Sequence, residues 1–276
     1  MDNINKIGFI GAGNMARSLA GGLINNGWPA KRLLLSDPDP DQRRAVEDAL
    51  GVTACADNAE VAQAADVLVL AVKPQVLPDV ARKLAPAVQR RRPLVISIAA
   101  GVRSADVERW LGGGLAVVRV MPNTAALVGS GASGLYAGAG VRDDQRDTAE
   151  SILRAVGVTV WVPEERLMDV VTAVSGSGPA YFFLLMEALE RAAVQRGLAR
   201  DTARLLTLET AFGAAKMALE GGDEPAALRE RVTSPGGTTE RAVDVFAAGG
   251  LAELVERAVT AAEQRAAELA DILGKK

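Results

Sequence analysis

The amino-acid sequence predicts an α/β fold followed by an all-α region, and three observations support this. Residues 6–162 alternate between short β-rich runs and helical stretches, which is typical of a doubly wound, mostly parallel sheet. The runs 67–72 and 94–98 are apolar throughout, as expected for strands that helices cover on both faces. After Pro163 the strand pattern stops, and Ala, Leu, Glu and Arg dominate. We therefore predict a Rossmann domain at residues 1–163 and a helical domain at residues 164–276.

Apolar and β-branched residues mark the strand candidates, and Gly- or Pro-containing breaks separate the helix candidates after Pro163. The strand candidates are Lys6–Gly11, Arg32–Ser36, Thr53–Cys55, Val67–Val72, Leu94–Ile98, Ala116–Met121, Gly134–Ala137 and Thr159–Val162. The helix candidates are Glu165–Val174, Pro179–Arg196, Arg200–Leu219, Ala226–Val232, Thr239–Ala248 and Leu251–Leu273.

The composition excludes several kinds of chemistry. The chain contains no histidine and one cysteine, Cys55. Histidine-based catalytic triads, histidine metal sites and thiolate zinc sites are therefore impossible. No cluster of acidic residues suggests a magnesium site, so we expect no metal. Hydroxyls, lysines, carboxylates, backbone amides or an organic cofactor must carry the chemistry.

The sequence also bears on location and partners. A lone cysteine cannot form an internal disulfide, and the polar stretch Met1–Lys6 lacks the apolar core of a signal peptide. No continuous apolar run approaches the length of a membrane-spanning helix. The net charge is −3, with no basic stripe of the kind that binds nucleic acid. We expect a cytoplasmic protein that binds neither nucleic acid nor membranes.

One helix candidate points to self-association. The segment Ala180–Met186 is apolar on every helical face, and such a helix must be buried all round. A helical domain of this size can hardly enclose it alone. We predict a homodimer, or an assembly of dimers, formed through the helical domain; a central helix in a monomeric bundle is the alternative.

A glycine motif after the first strand predicts a dinucleotide site. Gly11 permits a tight turn, Gly13 lets the backbone approach a pyrophosphate, and Ala16 allows helix and strand to pack closely. The amides at the helix start, around Asn14 and Met15, then face the phosphates.

The second strand ends in Ser36 and Asp37. A carboxylate at this point accepts hydrogen bonds from the adenosine ribose hydroxyls and repels a 2′-phosphate, which favours NADH. Arg43 and Arg44 follow closely and could reach a phosphate instead. These residues leave both NADH and NADPH open.

Later strands end in residues that suit the rest of such a cofactor, since ligands bind at the carboxyl ends of strands in this kind of sheet. These residues are Ala71, Val72, Lys73 and Pro74 after the fourth strand, Ala99, Ala100 and Gly101 after the fifth, and Asn123 and Thr124 after the sixth. Lys73 would lie near the ribose or the nicotinamide, unless it is only a solvated lysine. Small side chains after the fifth strand would let the nicotinamide ring lie flat, and Asn123 can hydrogen-bond to the carboxamide or the substrate.

The segment Ser234-Pro235-Gly236-Gly237-Thr238-Thr239 opens a helix in the second domain. Free amides and hydroxyls converge there, which favours binding of a small carboxylate without an arginine. A plain helix cap would explain one hydroxyl residue but not the whole segment.

At this point the sequence resembles the pyrroline-5-carboxylate reductase family over nearly its whole length. The matching segments are Ile10–Met15, Ala71–Pro74, Ser175–Tyr181 and Val232–Thr239, in family order. The resemblance implies a Rossmann domain, a helical domain that interlocks with the same domain of a second subunit, and an active site completed by that subunit. The implied reaction is hydride transfer from NADPH or NADH to the C=N bond of 1-pyrroline-5-carboxylate, giving proline.

The resemblance also implies roles for particular residues. Ser234 and the amides of Gly237 and Thr238 would hold the carboxylate of the imino acid, and Thr239 would contact the ring nitrogen. Asn58 matches a family residue near the adenosine ribose, and Lys73 matches the lysine of the Val-Lys-Pro turn. Asp37 departs from relatives that carry a hydroxyl residue there, so the family's frequent NADPH preference is in doubt.

Two other functions compete with this one. A 3-hydroxyacid dehydrogenase of the 6-phosphogluconate type would use a helix lysine as acid and base, and Lys216 is the candidate. A non-catalytic nucleotide-sensing scaffold would keep the glycine motif but lose the substrate segment.

Overall fold

The computed structural model describes residues 4–276, so Met1–Asn3, part of the stretch expected to carry no signal peptide, lie outside it. Contacts divide the chain into two units: the residues up to Ser177 together with Ala261–Lys276, and Gly178–Thr260. The division falls later than the sequence boundary at residue 163. Residues just after 163 belong to the first unit because they pack against it. A Cβ placed on Gly134, for example, would lie 2.5 Å from Val171. The assignment of separate roles to 1–163 and 164–276 stays a prediction.

The first unit contains the predicted α/β sheet, which confirms the fold class. Within residues 4–276 the sheet has eight strands in the order β3-β2-β1-β4-β5-β6-β7-β8. Every pair is parallel except β6 with β7. The strands are β1 Ile7–Ile10, β2 Leu33–Ser36, β3 Thr53–Cys55, β4 Val67–Leu70, β5 Leu94–Ser97, β6 Val117–Met121, β7 Gly131–Ala137 and β8 Gly157–Trp161.

The helices alternate with the strands and then succeed one another. They are α1 Asn14–Asn25, α2 Pro40–Leu50, α3 Asn58–Ala64, α4 Leu77–Arg91, α5 Ser104–Trp110, α6 Asp143–Arg154, α7 Leu167–Val171, α8 Gly178–Gln195, α9 Arg200–Glu220, α10 Pro225–Arg231, α11 Thr238–Ala248 and α12 Leu251–Gly274. Each helix predicted after Pro163 is present. The first differs, because its helix gives way to a π-helical turn at Thr172–Gly176.

Burial explains the apolar strands. Strands β1, β4 and β5 are buried along their whole length, and side chains on their two faces belong to two separate apolar clusters. Order along the sheet reverses between β1 and β4, so the chain leaves these adjacent strands on opposite sides. Ligands bind at the carboxyl ends of strands at such a reversal. The fold therefore places the glycine motif at the expected binding edge.

A buried ionic network fixes the segment that leads out of the sheet. Arg119 in β6 is buried and pairs with Asp169 at 3.0 Å and with Glu165 at 3.4 Å. Glu165 also accepts hydrogen bonds from the Ser104 amide at 2.6 Å and from its hydroxyl at 2.9 Å. One guanidinium thereby connects β6, the start of α5 and α7.

The second unit exposes much apolar surface in the single chain. Phe182, Phe183 and Leu184 of α8 and Phe212 of α9 are more than half exposed. The helical stretch Leu167–Gln195 is also long and apolar enough to cross a membrane by length and composition, and 22% of its most apolar 18-residue segment is buried. The sequence predicted no apolar run of that length. That prediction was wrong, because α7, the π-helical turn and α8 form one helical stretch that includes the polar Ser-Gly-Ser-Gly segment. Such a helix is weak evidence for a membrane, since the core helix of a soluble protein can have the same length and composition.

Candidate active site

The turn after β1 has the geometry that the glycine motif predicts. Gly11 has a φ of +101°, and a Cβ at this position would lie 2.7 Å from the carbonyl oxygen of Ala71. Its amide donates to the carbonyl oxygen of Ser36 at 2.7 Å. Only glycine fits such a turn, which passes directly over the end of β4.

The start of α1 is open toward an anion. Gly13 is its N-cap, with no side-chain hydrogen bond to the cap and no acidic residue in the first turn. A Cβ on Gly13 would meet no atom of the described residues within 4 Å. Asn14 is exposed, Met15 packs partly against the core, and Ala16 is buried as its packing role requires. Uncapped amides beside open space fit a pyrophosphate.

Asp37 lies beside this turn. Its Oδ2 accepts a hydrogen bond from the Ala12 amide at 2.9 Å, and its Oδ1 accepts one from the Asp39 amide at 3.0 Å. Ser36 differs from its expected role in cofactor binding. It is fully buried, and its hydroxyl donates to the Phe9 carbonyl at 3.3 Å, because residues alternate in direction along the strand.

The other predicted cofactor residues come directly after neighbouring strands at the same edge. Ala71, Val72 and Pro74 are half-buried after β4, and Lys73 is exposed. Ala99 is buried and Ala100 exposed after β5, while Asn58 is half-buried at the first position of α3. The parallel register brings these residues to one side of the sheet.

Gly101 and Asn123 have contacts that the sequence did not reveal. Gly101 packs against α12, where a Cβ would lie 3.2 Å from that of Leu269. The Asn123 side chain donates to the Ser175 carbonyl and accepts from the Ala132 amide, both at 3.1 Å. Asn123 therefore ties the π-helical turn to β7, and half of its side-chain hydrogen-bonding capacity is already used.

The single thiol is poorly suited to chemistry. Burial raises the pKa of Cys55, and the nearby charge of Glu60 raises it further. The thiol also donates to the Asp57 carbonyl at 3.3 Å. A neutral, hydrogen-bonded thiol is a weak nucleophile.

The predicted substrate segment forms the start of α11 in the second unit. Helix α11 begins at Thr238 with Gly237 as N-cap, and no side chain caps it. Gly236 has a φ of +75°, and its amide donates to the Glu240 carboxylate at 2.8 Å. The Gly237 amide was expected to hold the substrate carboxylate. Instead it donates to the Ser234 carbonyl at 2.9 Å and closes a turn.

The remaining donors of this segment stay open. Among the hydrogen bonds of the described residues, none involves the hydroxyls of Ser234, Thr238 or Thr239, or the amides of Thr238 and Thr239. Sequence reasoning missed Glu240. An acid three residues after an N-cap is a known helix-start signal and could have revealed it.

The candidate acid and base of the competing dehydrogenase is Lys216. Lys216 is half-exposed on α9 and forms an i,i+4 ion pair with Glu220 at 3.9 Å. Such a pair is typical of a solvated helix face. Within residues 4–276, no group of three or more His, Cys, Asp or Glu side chains could hold a metal ion.

The glycine turn at a helix start, the acid after β2 and the separate helical unit define a class, the Rossmann-type oxidoreductases that use a nicotinamide dinucleotide. Comparison with protein families supports this class. Residues 6–101 match the family described as NADP oxidoreductase coenzyme F420-dependent. Residues 165–269 match the family described as pyrroline-5-carboxylate reductase dimerisation.

Individual relatives match over nearly the whole chain. The chain is 53% identical to the pyrroline-5-carboxylate reductase of Pseudomonas aeruginosa, with 98% of each chain covered. It resembles the solved structure of a pyrroline-5-carboxylate reductase from Coxiella burnetii, with 48% identity, a TM-score of 0.92, and 97% and 99% of the two chains covered. It also resembles the pyrroline carboxylate reductase of Plasmodium falciparum with NADP bound, with 30% identity, a TM-score of 0.86, and 98% and 99% covered. The chain belongs to the pyrroline-5-carboxylate reductase family, whose members are NAD(P)-dependent oxidoreductases.

Replacing Gly13 tests the nucleotide half of the site. Gly13→Ala should fold normally, because its φ of −71° suits alanine and its Cβ meets no neighbour. The same methyl would stand where the pyrophosphate approaches the backbone, so titration calorimetry should show NADH and NADPH binding at least about tenfold more weakly. Gly21→Ala, also in α1, is the matched control. Unchanged affinity in Gly13→Ala would contradict a pyrophosphate at this turn.

Proposed function

We propose that this protein reduces the C=N bond of 1-pyrroline-5-carboxylate to give L-proline, the last step of proline biosynthesis, with NADPH or NADH as hydride donor. The observation that carries the proposal is the start of α11, where a glycine N-cap leaves amides and hydroxyls open for a small carboxylate. The extent of the match to named reductases, which includes this segment, supports it.

The proposed carboxylate site uses the start of a helix. The hydroxyl of Ser234 and the amide of Thr238 donate to the carboxylate oxygens, and the positive end of the α11 dipole adds attraction. Gly237 contributes conformation rather than its amide, since that amide already bonds to Ser234. Glu240 holds Gly236 in its positive-φ conformation and so keeps the loop in shape.

The reaction suits a chain without histidine. A cyclic imine can take its proton from water before it binds, so the site needs no strong acid. The bound nicotinamide supplies the hydride to the carbon of the C=N bond, and the electron pair moves to nitrogen. Thr239 lies one residue beyond the proposed carboxylate contact and hydrogen-bonds to that nitrogen as its charge falls.

The nucleotide half has complementary roles. The amides at Asn14 and Met15 would bind the pyrophosphate, and Asp37 and Asn58 would bind the adenosine ribose. Lys73 and the small residues Ala99 and Ala100 would contact the nicotinamide. Their position at the carboxyl ends of β4 and β5 supports this assignment.

The chain forms a homo-oligomer through its dimerisation region, and we propose that the unit of assembly is a dimer. The exposed apolar faces of α8 and α9 support burial against a second copy. The same burial accounts for the membrane-like composition of α8. We also place the protein in the cytoplasm, which its single cysteine supports and cell fractionation would test.

Substrate specificity tests the function directly. Oxidation of NADH or NADPH should be rapid with 1-pyrroline-5-carboxylate and should yield one proline per nicotinamide. The reverse assay, with 3-hydroxy acids and NAD⁺ or NADP⁺, should show no turnover, because Lys216, the helix lysine that such a dehydrogenase would use, is paired with Glu220 on an exposed helix face. Turnover of the hydroxy acids alone would favour the dehydrogenase, and no turnover of either would favour a non-catalytic scaffold.

Thr239 tests the mechanism. Thr239→Ala should lower kcat by about a hundredfold, the usual effect of losing one donor that acts in the transition state. Thr239→Ser keeps the hydroxyl and should retain most of the activity. Steady-state assays measure both variants, and thermal unfolding checks that both fold. A kcat in Thr239→Ala equal to that of the unchanged enzyme would remove Thr239 from the mechanism.

A charge on α8 tests the assembly. Phe182 is 64% exposed in the single chain. Phe182→Asp should leave monomers of the chain mass of 28.7 kDa in light scattering, because the charge would be buried in the interface. Phe182→Leu keeps the apolar contact and should preserve the assembly. An unchanged mass in Phe182→Asp would place the interface elsewhere.

A further inference from the structure

The carboxylate of Asp37 is oriented before any ligand binds. Backbone amides of Ala12 and Asp39 each donate to one of its oxygens, at 2.9 and 3.0 Å. One of these amides belongs to the glycine turn itself, so the carboxylate is fixed to the pyrophosphate-binding loop. Each carboxylate oxygen can accept a second hydrogen bond. Asp37 therefore presents a preformed acceptor for a pair of ribose hydroxyls.

The residues that could instead receive a 2′-phosphate are engaged elsewhere. The Ser36 hydroxyl is buried and donates to Phe9. The Arg43 guanidinium donates to the carbonyl oxygens of Asp37 and Pro38, at 2.7 and 3.0 Å. These two bonds hold the backbone of Asp37 and Pro38 in place.

Two further arginines lie near this loop and also have partners within the protein. Arg17 donates to the Ala12 carbonyl at 2.9 Å and to the Gln42 side chain at 2.5 Å. Arg44 is exposed and pairs with Asp41. A 2′-phosphate bound beside this loop would set two like charges together at Asp37.

We propose that Asp37 is a specificity-determining residue that makes this enzyme select NADH over NADPH. The proposal deepens the proposed function by naming the donor. It depends on a nicotinamide dinucleotide at the glycine turn but not on the identity of the imine. The same carboxylate that binds both ribose hydroxyls of NADH opposes the 2′-phosphate of NADPH.

Equilibrium binding without substrate tests this. NADH and NADPH are titrated separately against the full-length enzyme, followed by nicotinamide fluorescence, and 5′-AMP and 2′,5′-ADP are titrated by calorimetry as probes of the adenosine end. The unchanged enzyme should bind NADH at least about tenfold tighter than NADPH, as one or two hydrogen bonds to a charged group imply. The affinities for 5′-AMP and 2′,5′-ADP should show the same order.

Matched variants assign the effect to Asp37. Asp37→Asn removes the charge but keeps an oxygen for the Ala12 amide, and it should lower the NADH-to-NADPH preference by at least about tenfold. Asp39→Asn removes a charge from the same loop, and asparagine still caps α2, so the preference should not change. Asp37→Ser serves as a second variant if the amide form folds poorly.

Three results would overturn the proposal. One is equal or tighter binding of NADPH by the unchanged enzyme. Another is an unaltered preference in both Asp37 variants, and the third is an equal change in Asp39→Asn. Because no imine is present in these titrations, a failure of the proposed reaction would leave their outcome untouched.

Discussion

The close approach of Gly11 to the end of β4 is the constraint on which the nucleotide half depends. Strands β1 and β4 are parallel neighbours, so the chain leaving β1 must turn immediately above the Ala71 carbonyl. Without a side chain at Gly11 the turn closes, and α1 starts with free amides. The turn also presents the Ala12 amide to Asp37. One missing Cβ therefore shapes both the start of α1 and the hydrogen bond that orients Asp37.

A helix start with a glycine N-cap and open amides occurs at two binding positions of the proposed enzyme. Both α1 and α11 begin after a glycine N-cap that provides no side-chain bond, and both come after a glycine with positive φ. Helix starts of this kind attract anions through backbone amides and the helix dipole. In the proposed function, one helix start would bind a pyrophosphate and the other a carboxylate. A chain without histidine can work this way, because the substrate brings its own proton.

The ionic network and the π-helical turn show how the sheet is joined to α7 and to the end of the first unit. Arg119 connects β6 to α7, and Asn123 connects the end of β6 to the turn at Thr172–Gly176. Burying an arginine is costly unless its charge is compensated, and Glu165 and Asp169 both do so. A π-helical turn is often found at functional positions. Here it lies just before the helical unit begins.

The sequence by itself determined the strands, most of the helices, the glycine turn and the family, because these depend on local periodicity and on short motifs with a backbone requirement. Tertiary structure alone decided which polar groups remain free. Ser36 and Asp37 are neighbours in the sequence, yet one is buried in the sheet and the other accepts a hydrogen bond from the glycine turn. Asn123 and the Gly237 amide looked available but are engaged, Asn123 by partners distant in sequence. Hydrogen-bond partners are set by packing between elements, and residue spacing does not encode them.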